Sequence, residues 1–434
     1  MDILDIFWRR DIIKNRFGLG VKRQRKAAGT EGGRDAVYAS GPGPHRADPR
    51  DAGSALFDPC YILMKDVENM AKLKDFFKKK DVQLSAKRYG IDALGAMAQG
   101  LFCTLLVGTI LNTIGQQFGI DFLNRIIVTI KDSTGENQIG YTIGGLASAM
   151  VGPGIAVAIG FALHCPPLVL FSLIVVGFAA NAMGGAGGPL AVYFVAIIAC
   201  ECGKLVSKET KIDILVTPIV TILVGIGAAS LVAAPIGKAA SAVGEFVEWA
   251  TVLQPFWMGI AVSVVVGIAL TLPISSAAIC AALGLTGLAG GAAVAGCCAQ
   301  MVGFAVMSFR ENRWGGLVAQ GVGTSMLQMP NIVKNPKIWI PPTLASAITG
   351  PLATCLFRLE MNGAPVSSGM GTCGFVGQIG VYTGWVNTGK VITAMDWIGL
   401  VLICFVLPGI LSWAFALVLR KWGWIKENDL KLDL

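Results

Sequence analysis

The residues best suited to chemistry are concentrated in one short stretch, Ser367-Ser-Gly-Met-Gly-Thr-Cys-Gly-Phe-Val-Gly-Gln378. Its hydroxyls and amide supply neutral donors and acceptors, and its glycines let backbone approach a ligand. Ser367, Ser368, Thr372 and Gln378 therefore suit a polyol or sugar better than an ion. The alternative is a glycine-rich hairpin that only packs helices. Just upstream, Glu360 follows Arg358 and precedes Asn362. Glu360 reads either as a carboxylate at the mouth of a substrate cavity, bonding sugar hydroxyls or accepting their proton, or as half of a surface ion pair. Asn362 joins the same candidate set, as do Asn181, ahead of a glycine-rich break, and Gln300 further along.

His164 is the only histidine besides His45. At membrane depth a histidine can shuttle protons or orient a hydroxyl. Within His164-Cys-Pro-Pro167 it reads equally as an interfacial residue of a helix break, and that reading is preferred. Glu201, close before Lys204 at the end of an apolar run, reads first as a helix-end carboxylate paired with lysine at the water boundary. Arg310, Glu311 and Arg313 read as a solvated loop; if they border a cavity, they could meet a phosphorylated partner.

Missing motifs narrow the chemistry. There is no GxxxxGK[ST] phosphate loop, no GxSxG and no HExxH, so neither a built-in ATPase nor a hydrolase is expected. Most of the eleven cysteines sit in apolar runs (Cys103, Cys200, Cys280, Cys297, Cys298, Cys404), where they act as small hydrophobes. The thiols of Cys200-Glu-Cys202 point apart on a helix, so no metal site, disulfide framework or cofactor is expected. Much of the net charge of +8 lies before the first apolar span, a positive-inside signal rather than a nucleic-acid footprint.

The elements that must position these residues are membrane helices. The chain is 54% hydrophobic and 14% charged, against about 25% charged in soluble domains. Its mean hydropathy is +0.65. Residues 397–419 carry no charge, are long enough to cross a hydrocarbon core of about 30 Å, and end in Arg420-Lys421. The expected fold is an all-α polytopic membrane protein with about ten transmembrane helices, re-entrant hairpins and an amphipathic linker helix. Residues 1–69 read as a disordered or non-native extension ahead of a start at Met70. Residues 70–235 form an N-terminal transmembrane half, 236–254 the linker on the membrane surface, and 255–434 a C-terminal half. Residues 277–309 read as one span or a broken pair, and 122–131 as interfacial. Residues 363–385 are too polar to face lipid and too apolar for a free loop, which makes a re-entrant hairpin the natural reading. Lysines before the first span and after the last place both termini in the cytoplasm.

Three stretches, Gly184-Gly-Ala-Gly-Gly-Pro-Leu-Ala-Val-Tyr193, Gly203–Pro218 and Gly369-Met-Gly-Thr-Cys-Gly-Phe-Val-Gly-Gln378, resemble the membrane-spanning IIC subunits of the bacterial sugar phosphotransferase system (PTS). Within that family the likeness is to a branch that includes a membrane regulator of perfringolysin expression, and it runs from about Met70 to the end. The resemblance implies a homodimer in which two hairpins and a carboxylate frame the sugar, which moves by an elevator-like shift. It implies a sugar or polyol substrate, the lipid bilayer as surroundings, and phosphorylation by a phosphocysteine on a separate IIB protein, itself served by IIA. The second half departs from the family pattern: it has no histidine, and only Glu360-Met-Asn-Gly-Ala-Pro365 is similar to the usual Gly-x-x-Glu-Pro motif. A gradient-driven secondary transporter and a membrane-bound sensor or regulator on the same scaffold therefore stay open.

Overall fold

The computed structural model describes residues 75–83, 85–131 and 138–432. The expected extension 1–69, the Met70 start and His45 lie outside them. Residues 75–79 are helical in the first of two units; residues 86–434 form the second.

Helix α1 runs over Arg88–Phe118 and includes two π-helical stretches. After a single turn, Asp121–Asn124, strands β1 (Val128–Lys131) and β2 (Gln138–Tyr141) pair antiparallel with Val128 opposite Tyr141. The all-α expectation missed this hairpin. Its β-branched residues favour extended backbone, and Ile130 and Ile139 remain exposed on it.

Helices α2 (Ile143–Ala149) and α3 (Val151–Ala162) form one bent run with a 54° bend. Helix α4 (Pro167–Gly184) leads into α5 (Gly188–Val206) through a glycine turn. Gly185 there has φ 51° and ψ −123°, a conformation essentially reserved for glycine. The turn folds α5 back along α4, and the two helices pack side by side. Where α3 crosses α4, a Cβ on Gly152 would lie 2.2 Å from the carbonyl oxygen of Gly177, so small residues set how closely the backbones approach.

Helix α6 (Asp213–Thr251) corrects one boundary. The end of the expected N-terminal half and most of the expected linker are a single 39-residue helix, with Pro218 and Pro235 inside it. At 1.5 Å per residue it is about 58 Å long, well beyond the hydrocarbon thickness. Along its last part Ala240, Gly244, Val247 and Ala250 are buried, while Lys238, Glu245 and Glu248 are exposed.

In the remainder, α7 (Pro255–Thr271) is followed by α8 (Ser276–Ala282) and α9 (Gly287–Met307), so residues 277–309 are a broken pair. Then come α10 (Phe309–Val318), α11 (Met329–Lys334), α12 (Ile340–Pro351), α13 (Val376–Asn387) and α14 (Ala394–Lys421). Helix α9 is the hub: its apolar stretch is 94% buried, against 22% for α6. Its face of Gly, Ala and Cys admits α7, α12 and α14 at close range. A Cβ on Gly296 would fall 1.9 Å from the carbonyl oxygen of Ser263 on α7.

Among the described residues, five helical runs are long and apolar enough to cross a membrane, or six with the bent pair counted as one span. One of the five, 167–206, is itself the α4–α5 hairpin, since a single straight helix could not pack against itself. One buried cluster joins residues from the two ends of the chain. Leu94, Met97 and Val176 belong to the same buried cluster as Met329, Ile332 and Leu419.

Candidate substrate site

The site forms where the helices are interrupted. Pro273 lacks a backbone donor and follows the last turn of α7, so the chain breaks before α8. Ser275 caps α8 by accepting from the Ala278 amide at 3.2 Å, and its own amide donates to the Ala186 carbonyl in the α4–α5 turn at 3.0 Å. Next to it, the Ser276 hydroxyl donates to the Gly369 carbonyl at 2.7 Å. Gly369 ends the 3₁₀ turn Pro365–Gly369, the first piece of the expected hairpin. Three interruptions far apart in sequence thus meet at one place.

A cavity of about 40 Å³ opens beside this junction. Its lining includes Leu101, Leu105, Ser275, Ser276, Thr324, Met370 and Cys373, and no charged side chain contributes. The hydroxyls are neutral donors and acceptors on an otherwise apolar wall. That chemistry suits an uncharged hydroxylated ligand and gives no counter-charge to a bare ion. The volume holds a few waters, whereas pockets that enclose small ligands run to about 300 Å³ or more.

Residues 367–373 and 376–378 are buried among protein, while the Phe375 side chain between them is exposed. Ser367 lies against Gly380, and Ser368 donates its hydroxyl to the Leu285 carbonyl at 2.7 Å. Thr372 donates to the Met301 sulfur at 3.5 Å, and Gln378 donates to the Cys298 sulfur at 3.2 Å, both on α9. The Gln378 carbonyl oxygen is buried without a partner. Irregular backbone of this kind survives at membrane depth only where protein or an enclosed cavity surrounds it. Gly371 and Gly374 take positive φ, 54° and 51°, so the chain turns twice without a Cβ penalty.

Gln300 stands behind the cavity. Its Oε1 accepts from the Trp339 indole at 3.0 Å and from Thr271 at 3.4 Å, and its Nε2 donates to Thr343 at 3.3 Å. Thr271 also bonds the Ser325 hydroxyl at 2.8 Å. This buried network fixes the ends of α7 and of the loop that carries Thr324.

The other candidates lie elsewhere. Glu360 is exposed and does not line the cavity. Its carboxylate accepts from Asn362 at 3.1 Å rather than pairing with Arg358, and Asn362 in turn accepts from the Gly287 amide at 3.1 Å. These bonds brace an isolated bridge between Gly287 and Met361 at the start of α9. Asn181 is half-buried beside Gly152 and Gly188 near the α4–α5 turn. His164 is exposed in the turn between α3 and α4, with φ 57°. The expected Glu201–Lys204 pair is present at 3.2 Å, with the Lys204 side chain 1% exposed and the Glu201 side chain 13% exposed. Ser275, Ser276 and Thr324 were not singled out from sequence. Pro273-Ile-Ser-Ser276, a proline break followed by a serine cap, was the available signal.

The family model described as "Phosphotransferase system, EIIC" matches residues 91–432. No curated protein and no solved structure matches the chain.

Proposed function

Since this chain belongs to the phosphotransferase system EIIC family, we propose that it is a PTS permease that carries a sugar or polyol across the bacterial cytoplasmic membrane for phosphorylation by a separate IIB protein. The single observation that carries the choice of substrate class is the junction at Ser276 and Gly369. Neutral hydroxyls and interrupted backbone meet there beside a cavity without a charged lining. In transporters, binding sites recur at interrupted helices of this kind.

The cavity is too small for a hexose, so this is a closed form, and loading requires the 365–373 segment to separate from α8 and the Thr324 loop. Glu360 and Asn362 at the base of that segment are then positioned to meet the substrate as it enters. Ser367, Ser368, Thr372, Gln378, Gln300 and Asn181 act mainly by holding the interrupted backbone, and His164 lies outside this path. The protein works as a homodimer with both termini in the cytoplasm, where IIB, served by IIA, reaches the substrate.

Uptake of labelled sugars and polyols into inverted and right-side-out membrane vesicles, with and without the soluble phosphotransferase proteins, tests this reading. The expected result is substrate accumulation as the phosphate ester, dependent on a phosphoryl donor and insensitive to an uncoupler. Uptake that persists without those proteins and collapses with an uncoupler would make the chain a gradient-driven transporter. Ligand binding without movement, with altered gene expression on deletion, would make it a membrane regulator.

A further inference from the structure

A second cavity, of about 220 Å³, lies where α9, α10 and α14 converge. Val306 and Met307 end α9, Phe309 and Arg310 begin α10, and Trp413 and Arg420 stand on α14. Its walls grade from apolar to cationic along one direction. Trp413 precedes Arg420 by seven residues on a continuous helix, which places them about 10 Å apart along the axis. The apolar span of α14 ends at Arg420-Lys421, and the exposed Trp422 and Trp424 follow. Cations and tryptophans in that order mark the boundary between hydrocarbon and headgroups. The cavity therefore straddles that boundary, with its apolar wall on the hydrocarbon side.

The two arginines have different duties. Arg420 is already engaged: it bonds Glu311 at 2.6 Å and donates to the Met307 carbonyl at 3.3 Å. Arg310 is exposed and, among the described residues, has neither a hydrogen-bond nor an ion-pair partner. The second oxygen of Glu311, on a side chain only 6% exposed, is buried without a partner. The cavity thus presents one uncommitted cation, Arg310, beside apolar walls.

We propose that this cavity binds the headgroup of an anionic glycerophospholipid, with Arg310 on the phosphate and the first part of an acyl chain against Val306, Leu417 and Trp413. A free phosphate or a phosphorylated protein would use Arg310 but would leave the apolar wall without purpose. A zwitterionic lipid would fill the wall but would bring its own cation to Arg310. Only an anionic lipid satisfies both ends, and basic pockets between transmembrane helices are a recognised setting for such lipids.

The test is native mass spectrometry of the full chain in detergent, with palmitoyl-oleoyl phosphatidylglycerol or the matching phosphatidylcholine added. Phosphatidylglycerol is expected to be retained in preference to phosphatidylcholine and to survive excess inorganic phosphate. Arg310→Gln should lower its occupancy about fivefold, the usual worth of one cation at a membrane surface. Leu417→Trp, which fills the cleft without changing charge, should lower it as well. Lys337→Gln, which removes a cation lying 4.9 Å from the Trp424 ring, should leave it unchanged. Equal retention of the two lipids, displacement by inorganic phosphate, or undiminished binding in either cavity variant would overturn the proposal.

Discussion

The hydroxyl of Ser276 reaches the carbonyl of Gly369, 93 residues later in the chain, at 2.7 Å. A second bond, from Ser368 to the Leu285 carbonyl at 2.7 Å, closes the same contact from the opposite direction. Two broken stretches of backbone thus satisfy each other, and each side chain spent on the other is unavailable to a ligand in this form. Under the proposed function, reorganising this clasp would open the cavity.

Removing either hydroxyl leaves a buried carbonyl unpaired, a loss of about 1–3 kcal/mol. Ser276→Ala and Ser368→Ala should each lower the melting temperature of the purified protein. Because both act on one contact, the double variant should lose less than the sum of the singles. Strict additivity in a double-mutant cycle would show that the clasp is not a unit.

Helix packing around α9 depends on missing side chains. Gly296→Ala puts a methyl 1.9 Å from the Ser263 carbonyl oxygen and should cost about 1–3 kcal/mol by overpacking. Gly227→Ala, in α6, meets open space and should be neutral or stabilising by up to about 1 kcal/mol through helix propensity. Parallel thermal denaturation of the two variants reads the contrast directly.

The Glu201–Lys204 pair joins a buried lysine to a partly buried carboxylate, and removing the lysine leaves that carboxylate without its cation. Lys204→Met should destabilise by about 1–3 kcal/mol. Lys204→Met combined with Glu201→Gln should recover much of that loss. A double variant no better than the single would mean that Lys204 acts through packing instead of charge.

The C-terminal segment is held like a bound peptide. The Leu430 carbonyl accepts from Asn312 at 2.7 Å and Gln328 at 3.0 Å, and the Lys431 carbonyl accepts from Asn331 at 2.8 Å. Gln328 also bonds Gln320, close to the Gly323–Thr324 edge of the cavity. Truncation after Asp429 should remove these three bonds, lower the melting temperature, and increase hydrogen exchange across 320–331. Unchanged exchange there would show that the segment is ornamental to the cavity edge.

Much was legible without coordinates because the bilayer constrains the sequence so strongly. Unbroken apolar length along 397–419, glycine and proline at the interruptions, and polar residues at 363–385 that suit neither lipid nor water each follow from the cost of an unsatisfied backbone group in hydrocarbon. Those signals are local, so they survive reading one stretch at a time. Local reading failed at the paired strands 128–131 and 138–141, which are short and carry no membrane signature. It failed again at 236, where an amphipathic pattern follows an apolar one on the same uninterrupted helix.

What only the tertiary structure decided was which polar groups face each other. Glu360, Ser368 and Gln300 carry similar hydrogen-bonding capacity on paper. Folding sends Glu360 to Asn362 at the surface, spends Ser368 on Leu285, and places Gln300 behind the cavity wall. It brings Ser275, Ser276 and Thr324 to the lining instead. A side chain's chemistry is a property of its residue, but whether that chemistry is free for a substrate depends on long-range partners that close packing alone selects.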